Sequence, residues 1–453
     1  MELLDKLVIP QSEANLMLLN LLQMVALTAL LIYSGILFGS ISLSVWFNRK
    51  ARKEQSLKFA YMAKDLADLI TSGKLFAFGL GIVPFLAIIM VYIQLLHQSN
   101  SFVPKYLIIS FVLYLISIAL IYIYQHATEL NYFFEFFKTK IDTSKTDKQT
   151  EEFLSFYQKT ETLHSRTGFW GVVLLGISLY IFIASLTLAV ENWRWTDVDT
   201  MLELTLSFSA FFKYMHFISA SLAMTGVAFL IKKFKWQEEP TFADEDYIEY
   251  SKKFNLSVSL TFTMILPLFY ILNLIITPKT ALNDFIFGFS LIGLLILFVL
   301  LHFLYEMVRK NKFVYISLVF YLLIIVIGIS QVKEQLVFRY ANAQHTAKLA
   351  QEYEVFYQDM LAKAGRGIQE ISGEDIYKGK CIACHDFERK VVGPPHKLVL
   401  PKYINNPEAL AKFILNPVKV DPAYPPMPAQ GLRPKEAEAV AKYMIEHYGP
   451  MLK

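Results

Sequence analysis

The sequence predicts an all-α fold in two parts: an eight-helix transmembrane bundle, then a small all-α domain outside the membrane. Three observations carry that expectation. Of the 453 residues, 55% are hydrophobic and 18% charged, with a mean hydropathy of +0.41, whereas an ordinary soluble domain has roughly 25% charged residues. The apolar surplus is gathered into blocks long enough for a helix to cross the hydrocarbon core, which takes about 20 residues. Beyond residue 331 no such block remains, and eleven of the 17 prolines fall between Pro394 and Pro450. The 37 Phe and 25 Tyr exclude a disordered chain, and a net charge of +4 over this length points to no nucleic-acid partner.

The spans are expected at about 18–46, 74–97, 103–126, 168–190, 207–231, 254–276, 282–307 and 313–331. Each is bounded by charged or turn-forming residues, such as Asn48-Arg49-Lys50 and Thr277-Pro278-Lys279. Pro84 and Pro267 fall inside two of them, which membrane helices tolerate when neighbours satisfy the freed carbonyls. The first block lacks a basic region before it and is too long for a signal peptide, so it reads as an uncleaved helix.

Loop charge orients the bundle. Twenty Lys and Arg lie after spans 1, 3, 5 and 7, in clusters such as Arg49 to Lys64 and Lys232 to Lys253. The opposite side, up to span 8, carries four: Lys6, Lys105, Arg194 and Lys279. Loops 1, 3, 5 and 7 are therefore expected in the cytoplasm, and both termini outside it. Residues 1–331 form the transmembrane domain, 332–372 a helical linker, and 373–453 an extracytoplasmic domain. In the linker Leu336, Tyr340, Ala343, Ala347, Ala350, Tyr357, Leu361 and Ala364 recur near a 3.5 spacing, which predicts one continuous helix ended by Gly365 and Gly367.

The two cysteines, Cys381 and Cys384, are followed by His385. Cys-x-x-Cys-His is the attachment pattern of haem c: two thiols add to the two vinyl groups, and the adjacent histidine is carried under the iron. A zinc half-site would need a second pair of ligands that no other cysteine can supply, and a thioredoxin-like pair would want a βαβ setting that these flanks lack. The sixth iron ligand is expected downstream, at Met427 in the rigid Tyr424-Pro425-Pro426-Met427-Pro428 loop, with His396 as the rival. Short helices before Cys381 and at about 407–415, and an amphipathic helix from Pro434 to Tyr448, complete a small all-α pattern. Over about 373–449 this stretch resembles class I cytochrome c, through Cys381 to His385, Gly393-Pro394 and Met427. His/Met ligation raises the reduction potential and suits an electron acceptor.

Six further histidines lie in or near the membrane part: His97, His126, His164, His216, His302 and His345. An ionisable side chain in lipid needs a partner. His97, His164 (in a cytoplasmic loop) and His345 (on the linker) read as interfacial or hydrogen-bonded. His126 and His302 lie toward the cytoplasmic ends of their helices. His216 sits in the outer half of span 5. Around it run Asp199-Thr200-Met201, Ser207-Phe208-Ser209, Lys213-Tyr214-Met215-His216 and Thr225-Gly226.

Over about 190–230 these elements resemble subunit I of cytochrome bd quinol oxidase, in the same order. The resemblance implies that His216 ligates a low-spin haem b, with Lys213 one turn earlier meeting haem carboxylates. His97, Met264 and Met224 are candidates for the second ligand. The chain departs from that family elsewhere. Span 1 has no histidine, span 3 no carboxylate, the Gly-Arg-Gln-Pro-Trp signature is absent, and residues 277–283 are too few for a quinol-binding loop.

The expected function is that of a bc-type cytochrome in the bacterial cytoplasmic membrane. Electrons enter from a membrane donor, a quinol or a partner respiratory subunit, by way of haem b, and leave through periplasmic haem c to an external acceptor. The alternative is a membrane-anchored cytochrome c subunit of a larger respiratory complex, with no haem in its membrane domain. Oxygen reduction is not expected.

Overall fold

The computed structural model describes residues 8–138, 148–236, 245–310, 313–364 and 372–452, and no β-strand occurs among them. In chain order the long helices are α1 (Glu13–Glu54), α2 (Leu57–Thr71), α3 (Lys74–Leu95), α4 (Val103–Lys138), α5 (Lys148–Val190), α6 (Phe208–Ile231), α7 (Glu245–Ile275), α8 (Asp284–Lys310), α9 (Ile316–Ala341) and α10 (Ala343–Lys363). Eight of them, all but α2 and α10, are long and apolar enough to cross a membrane, and the chain is a multi-pass membrane protein. Two compact units emerge, Met1–Glu352 and Tyr353–Lys453, dividing within α10 rather than at residue 332 or 373.

Local chemistry explains the helix limits. Ser12 caps α1 by accepting the Asn15 N–H at 3.2 Å, and Gln55 closes it in the left-handed region at φ 48°. At about 1.5 Å per residue its 42 residues run about 63 Å, roughly twice the hydrocarbon thickness, so it extends well beyond 18–46. Within α3 a π-helical turn over Ala77–Ile82 precedes Pro84, where the wider turn takes up the missing N–H and the ring.

Two expectations are corrected. His164 lies on α5, not in a loop, because that helix starts at Lys148 rather than near 168. Its buried ring stacks on Tyr124 (4.6 Å between centroids, 3° between planes) and meets the Asn48 amide at 3.1 Å. The helix predicted across 332–364 is broken at Asn342. Residues 332–341 continue α9, and the buried Asn342 amide donates to the Ala189 carbonyl at 2.9 Å, anchoring the break.

Small residues and paired hydroxyls let the helices approach closely. A Cβ at Gly39 of α1 would lie 2.2 Å from Thr225 Oγ1, and one at Gly226 of α6 would lie 2.4 Å from the Asn255 carbonyl oxygen of α7. Tyr114 and Tyr124 of α4 pair with Ser34 and Ser44 of α1, both at 2.8 Å. The segments expected on one side meet there. Lys58 binds Asp246 at 2.8 Å, and Lys233 binds Asp65 at 2.7 Å with both side chains about nine-tenths buried. Tyr247 donates to the same Asp65 carboxylate at 2.6 Å.

In the second unit, Ser372 caps the short helix Gly373–Ile376, and a π-helical turn, Tyr377–Cys381, follows. Asn406 caps α11 (Pro407–Leu415), and α12 (Pro434–Tyr448) starts with proline in its first turn. Leu410, Ala411 and Ile414 of α11 pack with Ala437, Val440, Ala441 and Met444 of α12 around Tyr377 and Leu400. Gly373 crosses α12 so closely that a Cβ there would lie 2.2 Å from the Ala439 carbonyl oxygen.

Candidate functional site

Cys381 and Cys384 flank a tight turn in which the Cys384 and His385 N–H groups donate to the Cys381 carbonyl at 3.1 and 3.0 Å. Both thiols are free. Burial, and then the neighbouring Cys384 thiol, push the Cys381 thiol up from its ordinary value, so it stays protonated at neutral pH. The next strand of chain folds back on this turn: the Gly393 N–H donates to the Cys384 carbonyl at 2.8 Å.

His385 is oriented by one bond. Its Nδ1–H donates to the Pro394 carbonyl at 3.1 Å, which leaves the Nε2 lone pair for a metal. Gly393 lies against the ring, since a Cβ there would be 2.2 Å from His385 Cε1. The ring lines a crevice of about 230 Å³ together with both cysteines, Met427 and flanking apolar side chains. Lys380 ties the cysteine turn to the Met427 loop by donating to the Gln430 carbonyl at 3.0 Å, and Gly431 turns that loop at φ 63°.

His396 is buried and stacks face to face on His385, with centroids 5.0 Å apart and planes 13° apart. Burial, and then the neighbouring His385, hold its imidazole down at about 4. A ligand opposite His385 must lie along the Nε2 direction, within the plane of that ring. His396 lies off its face, so the two rings do not oppose each other; Met427 lines the same crevice as His385.

The comparisons with known proteins bear on this unit. Residues 369–444 match the family model of cytochrome c oxidase, cbb3-type, subunit III. Cytochrome c-551 of Pseudomonas denitrificans is 33% identical over 79 residues, covering 95% of that protein and 16% of this chain. The chain belongs to the cytochrome c family through its C-terminal domain. Such a domain carries covalent haem and transfers electrons, and the crevice fits that group: free paired thiols, an oriented imidazole and a thioether share one wall-lined space. No solved structure matches the chain.

The cytochrome's membrane unit holds a second cavity, of about 180 Å³, lined by His216 and Lys213 of α6, Gln23 of α1, Asn273 of α7, and Lys333 and Glu334 of α9. Lys213, expected to meet haem carboxylates, instead has its ammonium 3.0 Å from Glu334, which Lys333 also meets at 3.0 Å. His216 Nδ1 receives the Asn273 amide N–H at 2.6 Å. Of the proposed second ligands, Met224 lines the cavity but lies two turns along from His216 on the same helix. Met264 is 63% exposed, and His97 lines a different pocket with Gln94 and Gln98. His126 and His302 are exposed.

Glu334, Lys333, Asn273 and Gln23 escaped the sequence reading. The signal available for two of them was a Lys-Glu pair interrupting an apolar helix, which by itself marks an intramembrane site. Ending span 8 at residue 331 placed that pair outside the membrane.

Proposed function

We propose that this cytochrome is a membrane-bound electron carrier of the bacterial inner membrane. It takes electrons from a donor at its membrane unit, a quinol or a partner respiratory subunit, and passes them to a periplasmic acceptor. The observation that carries this reading is the His385 Nδ1 bond to Pro394, which aims Nε2 into the crevice shared with Cys381, Cys384 and Met427. In this reading Cys381 and Cys384 would hold the haem through thioether bonds, and His385 Nε2 and Met427 Sδ would serve as ligands to its iron. When bound, haem c supplies a one-electron couple. The chain's part is to fix both ligands and bury them.

The test is a pyridine haemochrome and a reduced-minus-oxidised spectrum of the purified protein. One c-type haem per chain is expected, single-thioether spectra from Cys381→Ala or Cys384→Ala, and loss of the Met-to-iron charge-transfer band with a lowered potential in Met427→Ala. A c-type signal that survives loss of both cysteines, or an unchanged band in Met427→Ala, refutes the assignment.

A second reading puts a haem b on His216, as its sequence surroundings suggest. One observation favours it. Turning the Asn273 amide over would let His216 Nδ1 donate and free Nε2 for iron, with Lys213 and Lys333 outnumbering the single Glu334 charge beside it. A b-type haemochrome lost in His216→Ala is its test.

A further inference from the structure

The membrane cavity is a partly open, mainly apolar space with a polar end. Leu27, Leu31, Ile183, Leu266, Leu297 and Leu323 supply walls, and buried Lys333 with half-buried Lys213 and Glu334 supplies charge. Three amides that line it are only half satisfied, and one of them, Gln335, donates to Asn20 Oδ1 at 2.7 Å and leaves its Oε1 without a partner. Gln23, 2% exposed, uses its N–H on the Tyr92 hydroxyl at 2.6 Å and leaves Oε1 without a partner. Asn273, 4% exposed, uses its N–H on His216 and leaves Oδ1 without a partner. A buried carbonyl oxygen left unpaired is costly, so each asks for a donor. With Nδ1 occupied by the Asn273 N–H, neutral His216 carries its proton on Nε2, a further donor and not a metal-binding lone pair.

We infer that this cavity binds the head group of a membrane quinol, with its ring hydroxyls set against Gln23, Asn273 and His216 and its tail along the apolar walls. A quinol hydroxyl both donates and accepts, so it satisfies the unpaired oxygens and the imidazole N–H together. On oxidation to the quinone the ring gives up two protons to water and two electrons, which leave one at a time for haem c; it keeps an acceptor for His216 and loses the donors. Haem fits less well on three counts. Its carboxylates donate nothing to the amides; among the described residues that line the cavity there is no second imidazole, and the one thioether, Met224, lies two turns along the same helix as His216; and the cavity is smaller than the haem crevice of the C-terminal unit, at about 180 against about 230 Å³. This inference rests on the electron-carrier reading and names its donor.

The experiment is calorimetric titration of a short-tailed quinol and its quinone into the purified full-length protein in detergent. Saturable binding near one per chain is expected, with the quinol tighter than the quinone. Gln23→Leu and Asn273→Leu, on different helices, should each weaken quinol binding about three- to tenfold, with haem c content unchanged. If either variant accumulates poorly, an azido-quinone photolabel on the unmodified protein should mark peptides of α1, α6, α7 or α9. No binding, equal binding by both variants, labelling confined elsewhere, or a haem b that disappears in His216→Ala would each overturn the inference. Failure of the electron-carrier reading itself is read separately, as the absence of a c-type haemochrome.

Discussion

Gly393→Ala tests whether the haem c site depends on how closely the chain approaches His385. An alanine Cβ at that position would sit 2.2 Å from His385 Cε1, 2.7 Å from Nδ1 and 2.8 Å from Nε2. Carbon atoms pack at about 3.5–4.0 Å, so the ring or the loop must move by roughly 1.3 Å or more. The ring has little room, because Pro394 holds its Nδ1 edge at 3.1 Å and His396 stacks on it with centroids 5.0 Å apart. Overpacking costs about 1–3 kcal/mol and a lost hydrogen bond about 1 kcal/mol, so about 2–4 kcal/mol is expected. Covalent attachment keeps the haem in place, so the damage should appear in ligation and not in haem content. Denaturant unfolding followed by haem absorbance, with the reduction potential measured on the same samples, reads both effects. A stability change under about 0.5 kcal/mol with an unchanged potential would refute the argument from close approach.

Three further outcomes are expected. Lys233→Met strips the buried Asp65 carboxylate of its 2.7 Å partner and leaves it the Tyr247 hydroxyl, so thermal stability in detergent should fall by about 3–5 kcal/mol, and Lys233→Met with Asp65→Asn should recover part of it. His345 has its pKa held below the ordinary histidine value, chiefly by burial, so its unfolded form binds protons that its folded form refuses. Stability should therefore be full above the ordinary value and fall as the pH drops below it, and His345→Phe should flatten that slope in thermal-shift scans from pH 7 to 5. Protease added to intact spheroplasts should release a haem-staining C-terminal fragment, and cleavage seen only in inverted vesicles would reverse the orientation read from loop charge.

Much of the haem c pocket is local chemistry, and for that reason it is readable in the sequence. Cys381, Cys384 and His385 fall within one turn, and the Pro394 carbonyl that orients the imidazole is nine residues away. Eight spans are equally legible, because a bilayer demands length and apolarity from each helix on its own. Their ends are less so, since Lys333 and Glu334 look like a boundary until their partner is known.

That partner is Lys213, 121 residues earlier, and the Asn273 that meets His216 is 57 residues on. Composition and motif determined that this is a membrane cytochrome with a covalent haem pattern and a lone histidine in its fifth span. Only the packing of α1, α6, α7 and α9 decided that Lys213 is spent on Glu334, that His216 is held by an amide, and that Gln23 faces the same space. The reason is physical. A helix periodicity records which face is buried, but whether a buried charge is neutralised, and whether a buried amide is satisfied, depends on atoms that chain folding alone brings within 3 Å.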